Sequence, residues 1–206
     1  MKLYHFPVSP NSRRVLAVIY HLGLDCDLEA VDLSSGQQMK PEFFRLNPNH
    51  MIPTLVDRDF VLWESNAIMQ YLCSKKPGST LWPSDAKAQA DINRWQCWGL
   101  AHFGSACGIY IYEHLVKKFL HLGDPDPAEL RKAEERFHRF AKVLDNHLMG
   151  RTWLAGNSTT LADYSVGAPL ALAEAAAYPM APYTEIRRWY AGMEALEPWK
   201  RSAPPA

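Results

Sequence analysis

Apolar residues along this 206-residue chain first alternate between short strand-like runs and helical stripes, then, beyond about residue 80, recur almost only at helical spacing. Residues 2 to 5 (KLYH) predict a short strand, and after the polar loop from Ser9 to Ser12 the set Val15, Val18, Ile19 and Leu22 marks one helix face that Gly23 would end. Cys26 to Leu33 predicts a second strand, reached across a helix long enough for a right-handed crossover. Pro41 at the head of EFFRL predicts a short helix, and TLVD and FVLW predict two strands joined by a tight Arg58-Asp59 turn, with a further helix from about Glu64. The order is βαβαββα.

With Pro53 immediately before the third strand, that order is the arrangement of a thioredoxin-like α/β domain, and everything after it reads as all-α. The stretch from Lys75 to Asp85 concentrates Pro, Gly and Ser, which sets the expected division: a first domain over 1–76, a linker over 77–86 and a helical domain over 87–206. A long helical stretch is expected from about Asp85 to Leu120. A second helix carries Leu130, Ala133, Phe137, Phe140, Leu144 and Leu148 on one stripe. Thr160 and Asp163 form a capping box for a third, and Ile186, Trp189, Tyr190, Met193 and Leu196 suggest a fourth.

Composition narrows the function without naming it. A hydrophobic fraction of 48% supports a sizeable core, and 22 basic against 22 acidic residues, with no block of like charge, argue against a nucleic-acid groove or a membrane-surface patch. No apolar run fits a signal peptide or a membrane span, which predicts a cytoplasmic protein with a small-molecule partner. Cys26, Cys73, Cys97 and Cys107 show no metal or redox spacing and read as small packing residues, and His102 and His114 lack ligand spacing to other donors, so no metal is expected.

Three short segments carry chemistry. Ser9-Pro10-Asn11-Ser12 joins a strand to a helix, where free N–H groups and the helix dipole favour an anion such as a thiolate; by itself the tetrapeptide is also a plain helix cap. Asn47 to Leu55 (NPNHMIPTL) sets a proline before a strand. A cis Ile52–Pro53 bond would turn the Ile52 backbone outward to pair with an extended peptide, with His50 meeting a terminal carboxylate, whereas a trans bond would leave an ordinary loop. Trp63 to Ile68 (WESNAI) opens a helix that Ser65 can cap; there Glu64 could accept from an ammonium while the helix N–H groups hold a carboxylate. A thiol holder, a strand edge and a grip for an amino-acid head group are together what glutathione requires.

The stretch GQQMKPEFFRLNPNHMIPTLVDRDFVLWESNAI resembles the corresponding part of the cytosolic glutathione transferases, nearest to serine-type delta-, theta- and phi-like members of bacterial kind. The linker, the helical half and TLADYSVGAPL are similar to the family as well. The resemblance implies a thioredoxin-like domain followed by a helical one, glutathione as co-substrate, a hydrophobic electrophile as partner, a detoxifying role and a homodimer. It puts Ser9 at the serine that acts on the glutathione sulfur, with Ser12 behind it, Ile52-Pro53 at the Ile/Val-Pro pair, Glu64-Ser65 at the Glu-Ser pair, His50 at the glycyl end and Gln38 at a further contact. Asn66 departs from an arginine common in delta and phi members, and Gln38 from a frequent delta histidine. Asn11, following Pro10, resembles the nu-class loop of proteins that favour disulfide reduction, and no cysteine occupies that loop.

The expected reaction is therefore attack of a glutathione thiolate, stabilised by Ser9 and Asn11, on an electrophilic carbon. Glutathione-dependent reduction of disulfides or peroxides and non-catalytic ligand carriage are the alternatives. In this family the co-substrate lies beside the long helix after the linker, and Phe103 and Tyr110 are the candidates for lining its pocket.

Overall fold

The computed structural model describes residues 1–204 and divides the chain into two compact units, Met1–Ser79 joined by the segment that begins at Leu196, and Thr80–Ala195. The first unit is built on a four-stranded sheet of β1 (Lys2–His5), β2 (Asp27–Ala30), β3 (Thr54–Asp57) and β4 (Phe60–Trp63), in the order β2-β1-β3-β4. β1 and β2 run parallel, as the intervening helix α1 (Pro10–Leu22) requires, and β3 is antiparallel to both of its neighbours. α2 (Pro41–Phe44) and α3 (Ser65–Ser74) complete the thioredoxin-like order.

Local chemistry explains these bounds. The expected apolar stripe of α1 is buried, and Gly23 ends it at φ 61°, where the Leu24 N–H reaches the Ile19 carbonyl and the Gly23 N–H that of Tyr20. Arg58 takes φ 59° in the turn between β3 and β4. The second strand is shorter than Cys26 to Leu33. Only Asp27–Ala30 pair with β1, and their side chains are exposed at the sheet edge. Leu3, Leu55, Val15, Val18, Ile68, Met69 and Leu72 fill the core.

The segment from Leu196, expected in the helical domain, groups instead with the first unit. Its helix α10 (Glu197–Arg201) packs on α1, with the Arg13 guanidinium 4.2 Å from the Trp199 ring centroid and bonded to the Trp199 carbonyl, and Arg201 over Tyr20. Trp199 buries a large apolar surface there, and that burial holds the segment in place.

The second unit is helical: α4 (Ala86–Trp98), α5 (Gly104–Ile111), α6 (Lys117–Phe119), α7 (Pro127–Leu148), α8 (Leu161–Gly167) and α9 (Thr184–Glu194). The long stretch expected from Asp85 is interrupted by two π-helical turns, Gly99–Phe103 and Tyr112–Val116. Ala133, Phe137, Leu144 and Leu148 of the α7 stripe are buried and Leu130 and Phe140 half-buried. The Thr160–Asp163 capping box forms, and buried Asp163 also accepts from the Leu154 N–H and the Trp189 indole at 2.9 Å each. Burial pushes the Asp163 carboxyl up while these donors pull it down.

Candidate functional site

The register of the sheet determines what lies together. Tyr4 pairs with Thr54 and Thr54 with Trp63, so the loop leaving β1, the loop entering β3 and the turn leaving β4 meet at one end of the sheet. Those are the three segments that carried the chemical signals.

In the first, Ser9 caps α1 with φ −74° and ψ 124°, and its Oγ accepts from the Ser12 N–H at 3.4 Å. Pro10 has no N–H to offer, and the Asn11 N–H finds no acceptor among the described residues. The helix therefore presents one free backbone donor and the exposed Asn11 side chain at its positive end. Ser12 is different: it is fully buried, and its Oγ accepts from the Phe6 N–H at 3.1 Å. That bond ties the end of β1 to α1 and makes Ser12 a scaffold residue.

In the second, the Ile52–Pro53 bond is cis, and His50 sits at φ 56° with its Nδ1 2.9 Å from the Gln38 carbonyl. Because a carbonyl only accepts, Nδ1 carries the proton. Phe44 stacks on His50 with ring centroids 5.0 Å apart. Gln38 itself lies in a short 3₁₀ turn, Gln37–Met39, and its side-chain oxygen is buried with no partner among the described residues. Asn47 organises the loop: its Nδ2 donates to the Met51 carbonyl at 2.8 Å and to Thr54 Oγ1 at 3.1 Å, while its Oδ1 accepts from the Asn49 N–H at 3.0 Å. The sequence had assigned it no role.

In the third, Glu64 is the N-cap of α3, at φ 71° and ψ 108°, with no side-chain capping bond. Ser65 is thus the first helical residue and not the cap expected of it. Its hydroxyl is buried beside the open end of the helix, whereas the Glu64 side chain is exposed and uncommitted.

Residues 3–80 match the family model described as glutathione S-transferase, N-terminal domain, and residues 127–192 match that described as glutathione S-transferase, C-terminal domain. The chain is 32% identical over 205 residues to glutathione S-transferase D7 of Drosophila melanogaster, covering 98% of this chain and 88% of that protein. The chain belongs to the glutathione S-transferases. Among solved structures this transferase is similar to a delta-class glutathione transferase of Nilaparvata lugens, at 31% identity and a TM-score of 0.85, covering 98% of this chain and 92% of that one. It is similar also to poplar glutathione transferase F1, at 26% identity and a TM-score of 0.89, covering 98% and 95% of the two chains.

Membership carries an enzyme class with it, glutathione S-transferase, whose members use glutathione as co-substrate. Two residues expected to line a co-substrate pocket belong elsewhere in this transferase. Phe103 is 0% and Tyr110 6% exposed, both packed on Phe137 of α7 at ring-centroid distances of 5.4 and 6.0 Å. Aromatic residues at helical spacing were serving the core.

All four cysteines of the transferase are free thiols. Cys73 and Cys107 are buried, and burial pushes the Cys73 thiol up to about 12; Cys97 is exposed and so is not the packing residue expected. Among the described residues no group of three or more His, Cys, Asp or Glu could hold a metal ion, and no helix is long and apolar enough to cross a membrane.

Proposed function

We propose that this transferase conjugates glutathione to a hydrophobic electrophile, with Ser9 donating its hydroxyl hydrogen to the sulfur and Asn11 supplying a second donor. The Ile52 backbone, next to Pro53, pairs with the cysteinyl part of glutathione. His50 and Gln38 meet the glycyl carboxylate, and Glu64, Ser65 and the N-terminal N–H groups of α3 grip the γ-glutamyl end. One observation carries the reading: the pairing of Tyr4, Thr54 and Trp63 gathers these segments at a single end of the sheet.

A free cysteine thiol ionises near pH 8.5, and each unit of lowering needs about 1.4 kcal/mol of preferential thiolate stabilisation. A serine hydroxyl is far too weak a base to remove that proton, so Ser9 acts as a hydrogen-bond donor and no covalent enzyme intermediate forms. Retention on immobilised glutathione, release by the free peptide, and turnover of an aryl halide test the assignment together. A protein that neither binds the matrix nor turns over any electrophile would overturn it.

The open Asn11 N–H supports a second reading, reduction of mixed disulfides. There the glutathione thiolate attacks the glutathionyl sulfur of a glutathione mixed disulfide, expels the other half as its thiolate and leaves as glutathione disulfide. An aryl halide and a mixed disulfide assayed at one pH separate the two readings by which rate dominates. A homodimer is part of the proposal. Phe60 and Trp63 stand exposed on β4 at the sheet edge, a surface that isolated monomers rarely leave open. Sedimentation velocity at the mass of one chain would count against it.

A further inference from the structure

Among the described residues nothing neutralises the buried cation of Arg14. Arg14, on the second turn of α1, is 4% exposed, and its Nε and Nη1 are buried without a hydrogen-bond partner among the described residues. Among the described residues no carboxylate lies within ion-pair distance of it. α1 packs against α3 and α10. α3 carries no charged side chain, only Tyr71, which donates to Asp57, and Cys73. α10 carries Glu197, Lys200 and Arg201, none of them paired with Arg14. On α1 itself stand Arg13, bonded to the Trp199 carbonyl, and half-buried His21; on β1, Lys2 pairs with Glu29, and burial holds the His5 imidazole below its ordinary range. Desolvation lowers the Arg14 pKa to about 10, so the group is still charged at neutral pH.

A buried unpaired charge is a cost that folding ordinarily avoids by pairing the group or leaving it in water. Its direction supplies a reason for keeping it. Helical side chains ordinarily lean toward the helix N-terminus, and residues three and four apart share a face, so helix geometry favours an Arg14 side chain directed to the Pro10–Asn11 side, near the Ser9 cap. Five residues of helix separate the Ser9 and Arg14 Cα atoms by only about 7.5 Å along the axis, a rise the long arginine side chain covers in good part. The α1 N-terminus and this guanidinium therefore add their positive potentials at the same end.

We propose that Arg14 is a positioning residue for the thiolate: without touching glutathione, its unpaired buried charge holds the sulfur ionised at the head of α1. The proposal rests on the glutathione reading above. With no counter-ion among the described residues to cancel it, the buried charge is less screened than one in water. Ser9 then directs the sulfur, and Arg14 supplies field.

The test follows the ultraviolet absorbance of the bound glutathione thiolate against pH in wild type and in Arg14→Gln, Arg14→Lys and Arg14→Met. In wild type the thiol pKa lies below that of free glutathione. In Arg14→Gln and Arg14→Met it rises by about one unit, the size expected of a unit charge about 10 Å away in an effective dielectric of about 20. Turnover at a pH below both values falls about tenfold and converges with wild type at high pH. The glutathione Kd stays within about threefold, and Arg14→Lys recovers at least half of the shift. Because the charge opposes folding, Arg14→Met melts no lower than wild type.

An unchanged thiol pKa in a folded Arg14→Gln overturns the proposal while the glutathione reading stands. Loss of folding in both Arg14→Gln and Arg14→Met also overturns it, because the arginine is then structural. A wild-type protein that fails to bind glutathione, or binds it with an unlowered thiol, overturns both.

Discussion

Replacing Ser9 by alanine removes the hydroxyl proposed to donate to the thiolate and also the cap that accepts from the Ser12 N–H. Hydrogen bonds to charged groups contribute about 1.5–3 kcal/mol, so the expected loss near neutral pH is about 10- to 100-fold in turnover, with the pH–rate profile moved up by one to two units. Full activity with an unmoved profile would overturn the assignment of Ser9 as the sulfur donor. At this scale the sequence disclosed residues whose role is local. Ser9 was legible because a serine before a proline at a strand-to-helix junction can do little but face the helix end. The Ser12 bond to the Phe6 N–H and the His50 bond to the Gln38 carbonyl were not, because each joins positions brought near only by the completed fold. Asn47 shows the same limit: its contact with Thr54 depends on where β3 begins.

Strands and turns were easier to read than helix interiors. TLVD and FVLW appear with the expected ends because alternation and a two-residue turn constrain both sides. The two π-helical turns left no periodic trace, since one extra residue per turn barely shifts a stripe that continues beyond it. Gly104 carries what trace there is. A Cβ at this position would collide with the Gly99 carbonyl, so Gly104→Ala is expected to destabilise the second unit by about 1–3 kcal/mol, as read from denaturant midpoints.

The second π turn also bears Glu113, whose carboxylate accepts from Lys117 Nζ and from the Asp126 N–H at 2.6 Å each and so fastens the turn that leads into α7. The Lys117 hydrogen bond, followed by that from Asp126, holds the Glu113 pKa below the usual carboxylate range. A lowered folded-state pKa contributes stability above the unfolded value and loses it as pH falls through the folded one. Wild type should therefore lose its advantage over Glu113→Gln as pH drops below about 4.5, with faster amide exchange at Asp126. An advantage that persists in acid would mean the pair contributes through packing instead.

For the molecule as a whole, the chain divides between Ser79 and Thr80 and returns to its first unit at Leu196, a return that composition along the sequence could not show. Leu196 continued the apolar stripe of α9 and so read as part of it. The long-range anchors, Arg13 on Trp199 and Arg201 on Tyr20, have no signature in either segment alone. Trp199→Ala is expected to cost about 3–5 kcal/mol and to lower the melting temperature of the first unit, which carries the proposed glutathione site. Differential scanning calorimetry with and without glutathione would check this, and a second unit that melted first would contradict it.

Because Trp199 belongs with α1, the helical unit is in effect a long insertion between two parts of the sheet-bearing one. Handles fixed near residues 1 and 204 would load the Met1–Ser79 unit and its returning segment before any tension reached residues 80–195. A single-molecule pulling trace should then show the smaller unit give way first, at a force set by the barrier to peeling α10 from α1.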